Sequence, residues 1–459
     1  MMVKPREIRK MMLWAVLLPL VAVLPVLSSS CSKAMYADEN EVQLTFSADT
    51  LSFDTVFTTV ATPTRMLVVY NRGSRDVLLS QVTLEGGRAS RFRLNVDGDT
   101  SFVARDIEIM AGDSMFIFVQ ANINPGDQTQ PFIVEDAIRF SNGQRLPVTA
   151  WGRNAVYHRP TDTLRYADGT VPLDAFGNPY AYSVIDCSAW RHDMPHVIIG
   201  YAVVDSRSTL SLTAGDELYF YNDAVLWVYD SATLQVHGTA EQPVLFTSVR
   251  HDGWYSFLPG QWGYVWLSAG SADNVIDHAV IEKGCFGIVV DTNVGSNPTL
   301  TVSNTELRHM SYTGIQAQGA RIVGHNMLVY QCGLADLWLR AGGDYSFTQS
   351  TFAGYWRYDS RKNPTVVVQN YYYAASNQLI PRDITRADFT DCIVWGSYPD
   401  GEMLIDFVDE AAHNSRIVHS IVKGGQWDVD PLFTDPDEND FTLQDGSPAI
   451  GIGYQWELE

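Results

Sequence analysis

The sequence predicts an all-β protein in which an antiparallel β-sandwich is followed by a right-handed parallel β-helix. Three observations lead to this fold class. Residues 42–152 contain short alternating apolar and polar runs that are separated by turn residues. From residue 276 onward a six-residue pattern recurs: an apolar or large residue, any residue, a polar residue, two residues of any kind, and an apolar or aromatic residue. It recurs at intervals of 21 to 28 residues, which is a period typical of a β-solenoid. The 459 residues include 12 % aromatic and 18 % charged residues, so the chain can bury a large core.

The first 30 residues have the features of an export signal. An apolar run over residues 11–27 contains two prolines and follows four basic residues, Lys4, Arg6, Arg9 and Lys10. Such a run suits a signal peptide better than a membrane-spanning helix. The next segment, "VLSSSC", resembles the lipobox of bacterial lipoproteins. This resemblance implies that Cys31 carries the lipid, with palmitate among its acyl chains, and that residues 31–41 form a tether. Ordinary signal cleavage at the serines is the alternative.

The charge of the chain restricts its partners. The formal net charge is −22 and the isoelectric point is near 4.7. A nucleic-acid-binding protein needs a basic surface, so this class is excluded. An acidic body is also repelled by anionic lipid, so we expect the N-terminal lipid anchor alone to hold the protein on a membrane. The acidic segment "ADENE" resembles the export tags of Bacteroidota surface lipoproteins. It indicates the outer membrane and leaves open whether the protein faces the surface or the periplasm.

Residues 42–153 are predicted to form the sandwich. The hairpin signal Asn142-Gly143 lies between two apolar runs, and similar turns divide the rest of the segment into about seven strands. The stretch "VFTTVATPTRMLVVYNRGSRDVLLSQV" resembles Ig-like domains of the ASPM/SPD-2/Hydin type, which implies a spacer or a protein-binding module. Residues 154–195 have no periodicity and are predicted to form a connector.

Residues 196–455 are predicted to form the β-helix, with one coil for each repeat of the six-residue pattern. The third position of the pattern is polar in every repeat. It could form a binding stripe, or it could form a structural ladder in which stacked side chains hydrogen-bond to one another. The ladder is favoured because it extends over all the repeats, whereas a site is confined to a few. The ladder positions are His278, Asn304, His325, Gln349, Asn370, Asp391 and His419.

Residues 430–455 are predicted to cap the last coil. Their sequence, "DPLF…DFTLQDGSPAIGIG", resembles the ending of bacterial β-helix proteins. This resemblance implies a lid whose apolar side chains, Phe433, Phe441, Leu443 and Ile450, plug the end of the core. A calcium loop is the alternative, because oxygen ligands at alternate positions suit that ion; its candidate ligands are Asp435, Asp437, Asn439 and Asp440. No cofactor is predicted.

One group of residues on the β-helix could carry chemistry. The repeat spacing places Lys283, His309 and Tyr330 on one edge of successive coils, with Arg308 beside Glu282. A base next to a cation is what a polysaccharide lyase requires. The alternative is a surface ion pair among ordinary turn residues.

Aromatic residues provide a second candidate site. Exposed tryptophan and tyrosine rings stack on sugars, and two loops of the β-helix are rich in them. The alternative is that alternation sends many of these rings into the core. The candidate binding residues are Trp254, Trp262, Tyr264, Trp356 and Tyr358.

Taken together, the segments "LSFDTVFTT", "AWG", "LPGQWG" and "GSPAIG" resemble a family of uncharacterised Bacteroidota outer-membrane lipoproteins with an Ig-like domain and a right-handed β-helix. The resemblance implies architecture and brings no catalytic residues. We therefore predict a cell-envelope module that binds or scaffolds, with a polysaccharide or an envelope protein as its partner. A carbohydrate-active enzyme, either a polysaccharide lyase or a glycoside hydrolase, is the alternative.

Overall fold

The structure, a computed structural model, describes residues 36–58, 64–123, 132–173, 177, 179–250, 253–292 and 295–455. Cys31 and the export signal lie outside the described residues. No helix in the described ranges is long and apolar enough to cross a membrane. The contacts divide the chain into two compact units, of which the second begins at Arg153.

The first unit is an antiparallel β-sandwich of a four-stranded and a five-stranded sheet. Alternation determines which side chains enter its core. In the strand Ser114–Ala121, for example, Met115, Ile117 and Val119 are buried, whereas Phe116 and Phe118 are exposed. In spatial order, the first sheet contains Thr45–Phe46, Arg65–Tyr70, Ser114–Ala121 and Phe92–Val96. The second contains Leu51–Phe57, Arg145–Arg153, Phe132–Phe140, Val77–Leu84 and Val103–Ile109.

The second unit is a parallel β-helix, which confirms the predicted fold class. Its 24 strands form one continuous hydrogen-bonded sheet that coils into three rows, here named A, B and C in the order in which the chain visits them. Row A comprises Thr209–Thr213, Thr233–His237, Asn274–Asp277, the first halves of Leu300–Met310 and Arg321–Cys332, Gly343–Thr348, Ile384–Thr390 and His413–Val418.

Rows B and C follow row A in each coil. Row B comprises the first halves of His196–Val204 and Glu217–Val228, then Val244–Ser248, Ala279–Glu282, the second halves of Leu300–Met310 and Arg321–Cys332, Thr351–Gly354, Ile393–Gly396 and Ile421–Val422. Row C comprises Ala181–Val184, the second halves of His196–Val204 and Glu217–Val228, Val265–Leu267, Ile288–Val290, Thr313–Gln318, Ala335–Arg340, Val366–Gln369 and Met403–Asp406.

The remaining elements of the described residues are short. Val156–His158 pairs with the first strand of row B, and Asp162–Thr163 pairs with Ala181–Val184. Tyr371–Tyr373 and Leu379–Pro381 form a hairpin, and Phe433–Asp435 pairs with Asp440–Leu443. Single 3₁₀ turns occur at Glu39–Glu41, Gly87–Ala89, Cys187–Ala189, Gly253–Ser256 and Pro436–Glu438.

The turn between rows A and B is a single residue in the left-handed region. Its φ lies between 46° and 54° in six successive coils. Asparagine, aspartate and histidine tolerate this conformation better than most residues, which explains why the position is polar. The turn ladder consists of His278, Asn304, Asn326, Gln349, Asp391 and His419.

Two members of the predicted ladder are therefore wrong. Ser303 pairs with His325, so the residue aligned with Asn304 is Asn326, and His325 belongs to the strand before the turn. Phe347 pairs directly with Phe389, which leaves no intervening coil for Asn370. That residue follows a row C strand, and its buried amide bonds to the backbone of Val408.

The C-terminal residues 430–455, here named the strap, run back along the outer surface of row B. Phe433 and Phe441 pack there on the outward side chains of Leu328, Ile393 and Ile421. Along the strap, Gly453 donates its N–H to the Asp391 carbonyl at 2.8 Å, and Tyr454 then donates its N–H to the side-chain oxygen Oγ1 of Thr351 at 2.9 Å. The strap therefore covers the outer surface of row B and does not plug the end of the core, which corrects the prediction. Ile450, one of the predicted plug residues, is 67 % exposed.

Candidate functional site

A cleft of about 300 Å³ opens beside row B, where the strap ends. Its floor contains Val280 and Glu306, which are outward-facing residues of successive row B strands. In the next coils the same column continues with Leu328 and Thr351, and the strap covers these positions. Glu306 is therefore a charged residue between the apolar Val280 and Leu328, at the coil where the strap stops. The cleft is lined by Thr239, Ala240, Pro243, His278, Ala279, Val280, Asn304, Glu306, Asn326 and Tyr454.

The turn ladder forms one wall of the cleft and is held by hydrogen bonds along the stack. The amide of Asn304 donates to Asp277 Oδ1 at 2.9 Å, and the amide of Asn326 donates to Asn304 Oδ1 at 2.8 Å. Ser303 also donates to Asp277 Oδ1, at 2.6 Å. Because each amide is fixed by its neighbour, the wall is preorganised, and the ladder has the structural role that the sequence predicts.

Glu306 is the acidic residue of the cleft. Its Oε1 accepts hydrogen bonds from Arg308 Nη1 at 2.9 Å and from the Tyr330 hydroxyl at 2.5 Å. Its Oε2 has no hydrogen-bond partner among the residues that the structure describes. One carboxylate oxygen is therefore clamped, while the other can accept a hydrogen bond from a ligand in the cleft.

Beneath Glu306 lies a compensated group of charges. Arg308 donates from Nε to Glu282 Oε2 at 2.9 Å, its Nη2 lies 2.8 Å from the same oxygen, and Lys283 Nζ lies 2.9 Å from Glu282 Oε1. Burial opposes the ionisation of Glu282, but the charges of Arg308 and Lys283 prevail and lower its pKa to about 2. Two carboxylates thus face two cations, and the group carries no excess positive charge.

The predicted catalytic column is offset by one residue. Glu282 pairs with Arg308, which pairs with Tyr330, so these three share a column. Lys283 and His309 occupy the next position, which is the left-handed turn between rows B and C, with φ of 66° and 55°. Tyr330 therefore lies beside Arg308, and the single column of Lys283, His309 and Tyr330 is wrong. None of the four catalytic candidates lines the cleft.

His309 is a weak base, because burial, reinforced by the charge of Arg308, lowers its pKa to about 4. Its ring makes an edge contact with Tyr330, with the centroids 6.0 Å apart. Burial and the nearby Glu306 charge raise the pKa of Tyr330, whose hydroxyl is already engaged. The neutral His309 ring thus packs against Tyr330, whose hydroxyl is already hydrogen-bonded to Glu306. This arrangement gives no support to the predicted lyase site.

The aromatic candidates separate into different environments. Trp262 is fully buried and stacks on Phe220 with the centroids 4.0 Å apart, so its prediction as a binding residue is wrong. Tyr264 is half-buried, with its ring edge-on to Phe286. Trp356 and Tyr358 form a surface pair at 4.7 Å, and the Tyr358 hydroxyl donates to the backbone of Phe257. The side chain of Trp254 lies outside the described residues.

A stack of aromatic rings on row C offers little surface to a sugar. Trp227 and Trp266 lie almost parallel, with their centroids 4.7 Å apart and an interplanar angle of 13°. Rings that stack on one another present their edges to solvent, whereas a sugar packs on a ring face. This stack therefore stabilises successive coils and is a weaker binding candidate than the cleft.

The acidic residues of the strap hold its turns. Asp435 accepts the N–H of Glu438, and Asp440 accepts the N–H and hydroxyl of Thr442. Asn439 Oδ1 accepts hydrogen bonds from Gln331 and Arg357, so this oxygen is already engaged by donors and is not oriented towards a cation. In the described part of the chain, no group of three or more acidic, histidine or cysteine side chains could hold a metal ion. Asp437 lies in the same 3₁₀ turn, Pro436–Glu438.

Glu306, Asn326 and Tyr454 line the cleft but are not among the site residues predicted from the sequence. A signal was available for Glu306, because a glutamate occupies an outward position whose neighbours in the column, Val280 and Leu328, are apolar. Tyr454 could not be recognised, because its position depends on the return of the strap along row B.

No protein-family model matches the chain, and no curated protein matches it either. Two solved structures of glycoside hydrolases are similar to it at very low identity. One is a family 123 enzyme from Clostridium perfringens, described for glycolipid glycan hydrolysis, at 9 % identity and a TM-score of 0.19, covering 27 % of this chain and 29 % of that one. The other is the catalytic unit of the thermostable GH87 alpha-1,3-glucanase from Streptomyces thermodiastaticus strain HF3-3, at 10 % identity and a TM-score of 0.26, covering 77 % and 74 %.

Proposed function

We propose that the chain is a glycan-binding module of the cell envelope and that the cleft between the turn ladder and Tyr454 holds a neutral sugar. One observation carries this proposal: Glu306 presents an oxygen without a partner to the cleft while its other oxygen is fixed by Arg308 and Tyr330. A fixed carboxylate accepts hydrogen bonds from sugar hydroxyls without an ordering cost. Amide groups on one side and an aromatic residue on the other complete a typical sugar-binding lining.

The cleft favours binding over hydrolysis. A glycosidase needs two carboxyl groups that flank the scissile bond. Glu306 is the one acidic side chain among the described residues that line the cleft. The nearest second carboxylate in the charge group, Glu282, is held by Arg308, Lys283 and Thr247.

The charge of the cleft also disfavours a lyase. A polysaccharide lyase must neutralise the carboxylate of its substrate. Neither lysine nor arginine is found among the described residues that line the cleft, and Arg308 is already shared by two glutamates. A neutral glycan meets no such requirement.

The proposal is tested by screening the purified full chain against neutral and acidic oligosaccharides and titrating the hits by calorimetry. Val280→Trp fills the floor of the cleft and should weaken binding of a neutral hit by about tenfold or more. Val289→Trp places the same bulk on the outer surface of row C and should have no effect. Equal binding by wild type and Val280→Trp would contradict the proposal.

The same experiment distinguishes the other functions that the sequence leaves open. Release of new reducing ends from a bound glycan would favour a glycoside hydrolase, and unsaturated products would favour a lyase. If no glycan binds while an envelope protein is captured reproducibly, the chain is a scaffold instead.

We also propose that the mature protein is lipidated at Cys31 and attached to the outer membrane, as its lipobox-like segment implies. Cys31→Ala should move the protein from the membrane fraction to the soluble fraction. Continued membrane fractionation of this variant would contradict the proposal. Protease treatment of intact cells tests on which face the protein lies.

A further inference from the structure

A second cleft, of about 450 Å³, lies at the turn between rows C and A. The long coil between Phe347 and Phe389 contains the hairpin Tyr371–Tyr373 and Leu379–Pro381, which borders this cleft. Its lining includes Thr292, Gln318, Gly343, Tyr372, Arg382 and Asp383. No residue lines both this cleft and the one described above.

Glycines keep the floor of this cleft open. Gly319 has a φ of 63°, and a Cβ at this position would approach Thr292 Oγ1 to 3.1 Å. A Cβ at Gly342 would lie 2.8 Å from the Cβ of Arg382, so the turn lets the arginine approach closely. A larger side chain at either position would therefore fill space that the cleft leaves to a ligand or would displace Arg382.

Arg382 is an exposed cation without a carboxylate partner. Its guanidinium lies over the Tyr372 ring, 5.5 Å from the centroid, and donates to the Pro381 carbonyl and weakly to the Tyr372 hydroxyl. Among the described residues it forms no ion pair. Several of its five N–H donors are therefore available, in the planar arrangement that suits an oxyanion.

Two further residues define what the cleft can recognise. Gln318 is oriented by Asp291, to which it donates at 2.6 Å, and by Arg340, which donates to it at 3.4 Å. Arg340 likewise forms no ion pair in the described ranges, and its charge offsets that of Asp291 on the other side of Gln318. Asp383 accepts the N–H of Ala412 on Oδ1 at 2.8 Å, and its carboxylate can accept a hydroxyl.

We propose that this second cleft binds an acidic sugar residue, with Arg382 on its carboxylate or sulfate and Asp383 and Gln318 on its hydroxyls. A free anion alone would be repelled by Asp383 and by the net charge of −22. A sugar that carries both an anionic group and hydroxyls satisfies the cation and the acceptors together. The inference does not depend on the function proposed for the first cleft.

The test is calorimetric titration of the purified full chain with three hexasaccharides of equal length: a galacturonate, a sulfated galactan and a neutral galactan. In the Val280→Trp variant, whose first cleft is blocked, one acidic probe should bind and the neutral probe should not, and which acidic probe binds identifies the oxyanion. Arg382→Gln should weaken that binding by about tenfold or more, because a charge-assisted contact is lost. Arg165→Gln removes an exposed arginine elsewhere in the same unit and should leave the affinity unchanged.

Two additional variants keep the test decisive. Thr292→Trp fills the cleft and keeps Arg382, so it should also abolish binding even if Arg382→Gln proves unstable. Val280→Trp, which blocks the first cleft, should leave acidic binding intact. The inference is overturned if neither acidic probe binds, if the neutral probe binds Val280→Trp as well as an acidic probe does, or if Thr292→Trp or a folded Arg382→Gln retains the wild-type affinity for the acidic probe.

Discussion

Gln455 donates its backbone N–H to Asn326 Oδ1 at 2.7 Å, across 129 positions of the sequence. The amide of Asn326 in turn donates to Asn304, which lines the first cleft. The end of the strap is therefore joined to the turn ladder at the coil where the cleft begins. A change in the strap should therefore alter the position of the residues that line the cleft.

Phe441→Ala should destabilise the β-helix by about 3 kcal/mol or more, because a buried aromatic side chain is lost from the contact between strap and row B. Urea unfolding followed by tryptophan fluorescence measures the change. Ile450→Ala is the matched control. Its side chain is 67 % exposed, so the expected change is within about 0.5 kcal/mol. A large loss of stability in Ile450→Ala would instead support the predicted lid, in which Ile450 plugs the end of the core.

Asn326→Val should lower the free energy of unfolding by about 1 to 3 kcal/mol. A β-branched residue is strained at a φ of 50°, and the hydrogen bonds of the Asn326 side-chain amide to Asn304 and Gln455 are removed. His325→Val should be tolerated, because His325 lies in a strand and has an exposed side chain. Thermal unfolding of the two variants compares them directly. Greater sensitivity at His325 would mean that the predicted register is right after all.

Arg308→Met should destabilise the β-helix by about 3 kcal/mol, because Glu306 would lose its cation and Glu282 one of its two cations in a largely buried site. Arg416→Met removes the partner of Asp388 at a site where the arginine is 66 % exposed. There we expect less than about 1 kcal/mol. Equal losses in the two variants would argue against the role given to the charge group.

His158 should make the β-helix less stable in acid. His196 Nε2 must donate to the Arg191 carbonyl, so His196 Nδ1 accepts from His158 Nε2 at 2.9 Å, and both rings are neutral. Burial, together with the repulsion that a protonated His196 would exert, lowers the pKa of His158 to about 4. The unfolded chain binds this proton near its usual pKa of about 6.5, so stability falls as pH falls from about 6.5 to about 4.

His158→Gln can still donate to His196 but does not titrate. The difference in unfolding free energy between wild type and this variant should therefore shift by about 3 kcal/mol in favour of the variant between pH 7 and about pH 4. His237→Gln, at an exposed position, is the control and should show no such shift. A difference that is independent of pH would contradict the neutral pair.

Asp336 should have the opposite dependence. It is completely buried, and burial raises its pKa to about 8 despite the opposing charge of Arg361. The unfolded chain releases this proton near pH 4, so stability is lost as pH rises from about 4 to about 8. Asp336→Asn should therefore gain stability relative to wild type between pH 5 and about pH 8.5. Parallel curves for the two proteins would show that Asp336 is ionised in the folded state.

The sequence by itself determined the two-part organisation, the parallel coils and the polar ladder. Alternation and turn residues define the sandwich, and the repeat period defines the coils, because both depend on local geometry. It also predicted that Arg308 lies beside Glu282, since their spacing follows the repeat.

The tertiary structure decided the register and the cleft. A left-handed residue such as Asn304 or His309 ends one strand and resets the alternation. The repeat pattern leaves several of its positions unspecified, so it fits registers that differ by one residue. This reset places Asn326 in the ladder instead of His325, and it places Tyr330 in a different column from His309. The strap returns along row B because apolar residues face outward there, and only that long-range packing brings Tyr454 to Glu306.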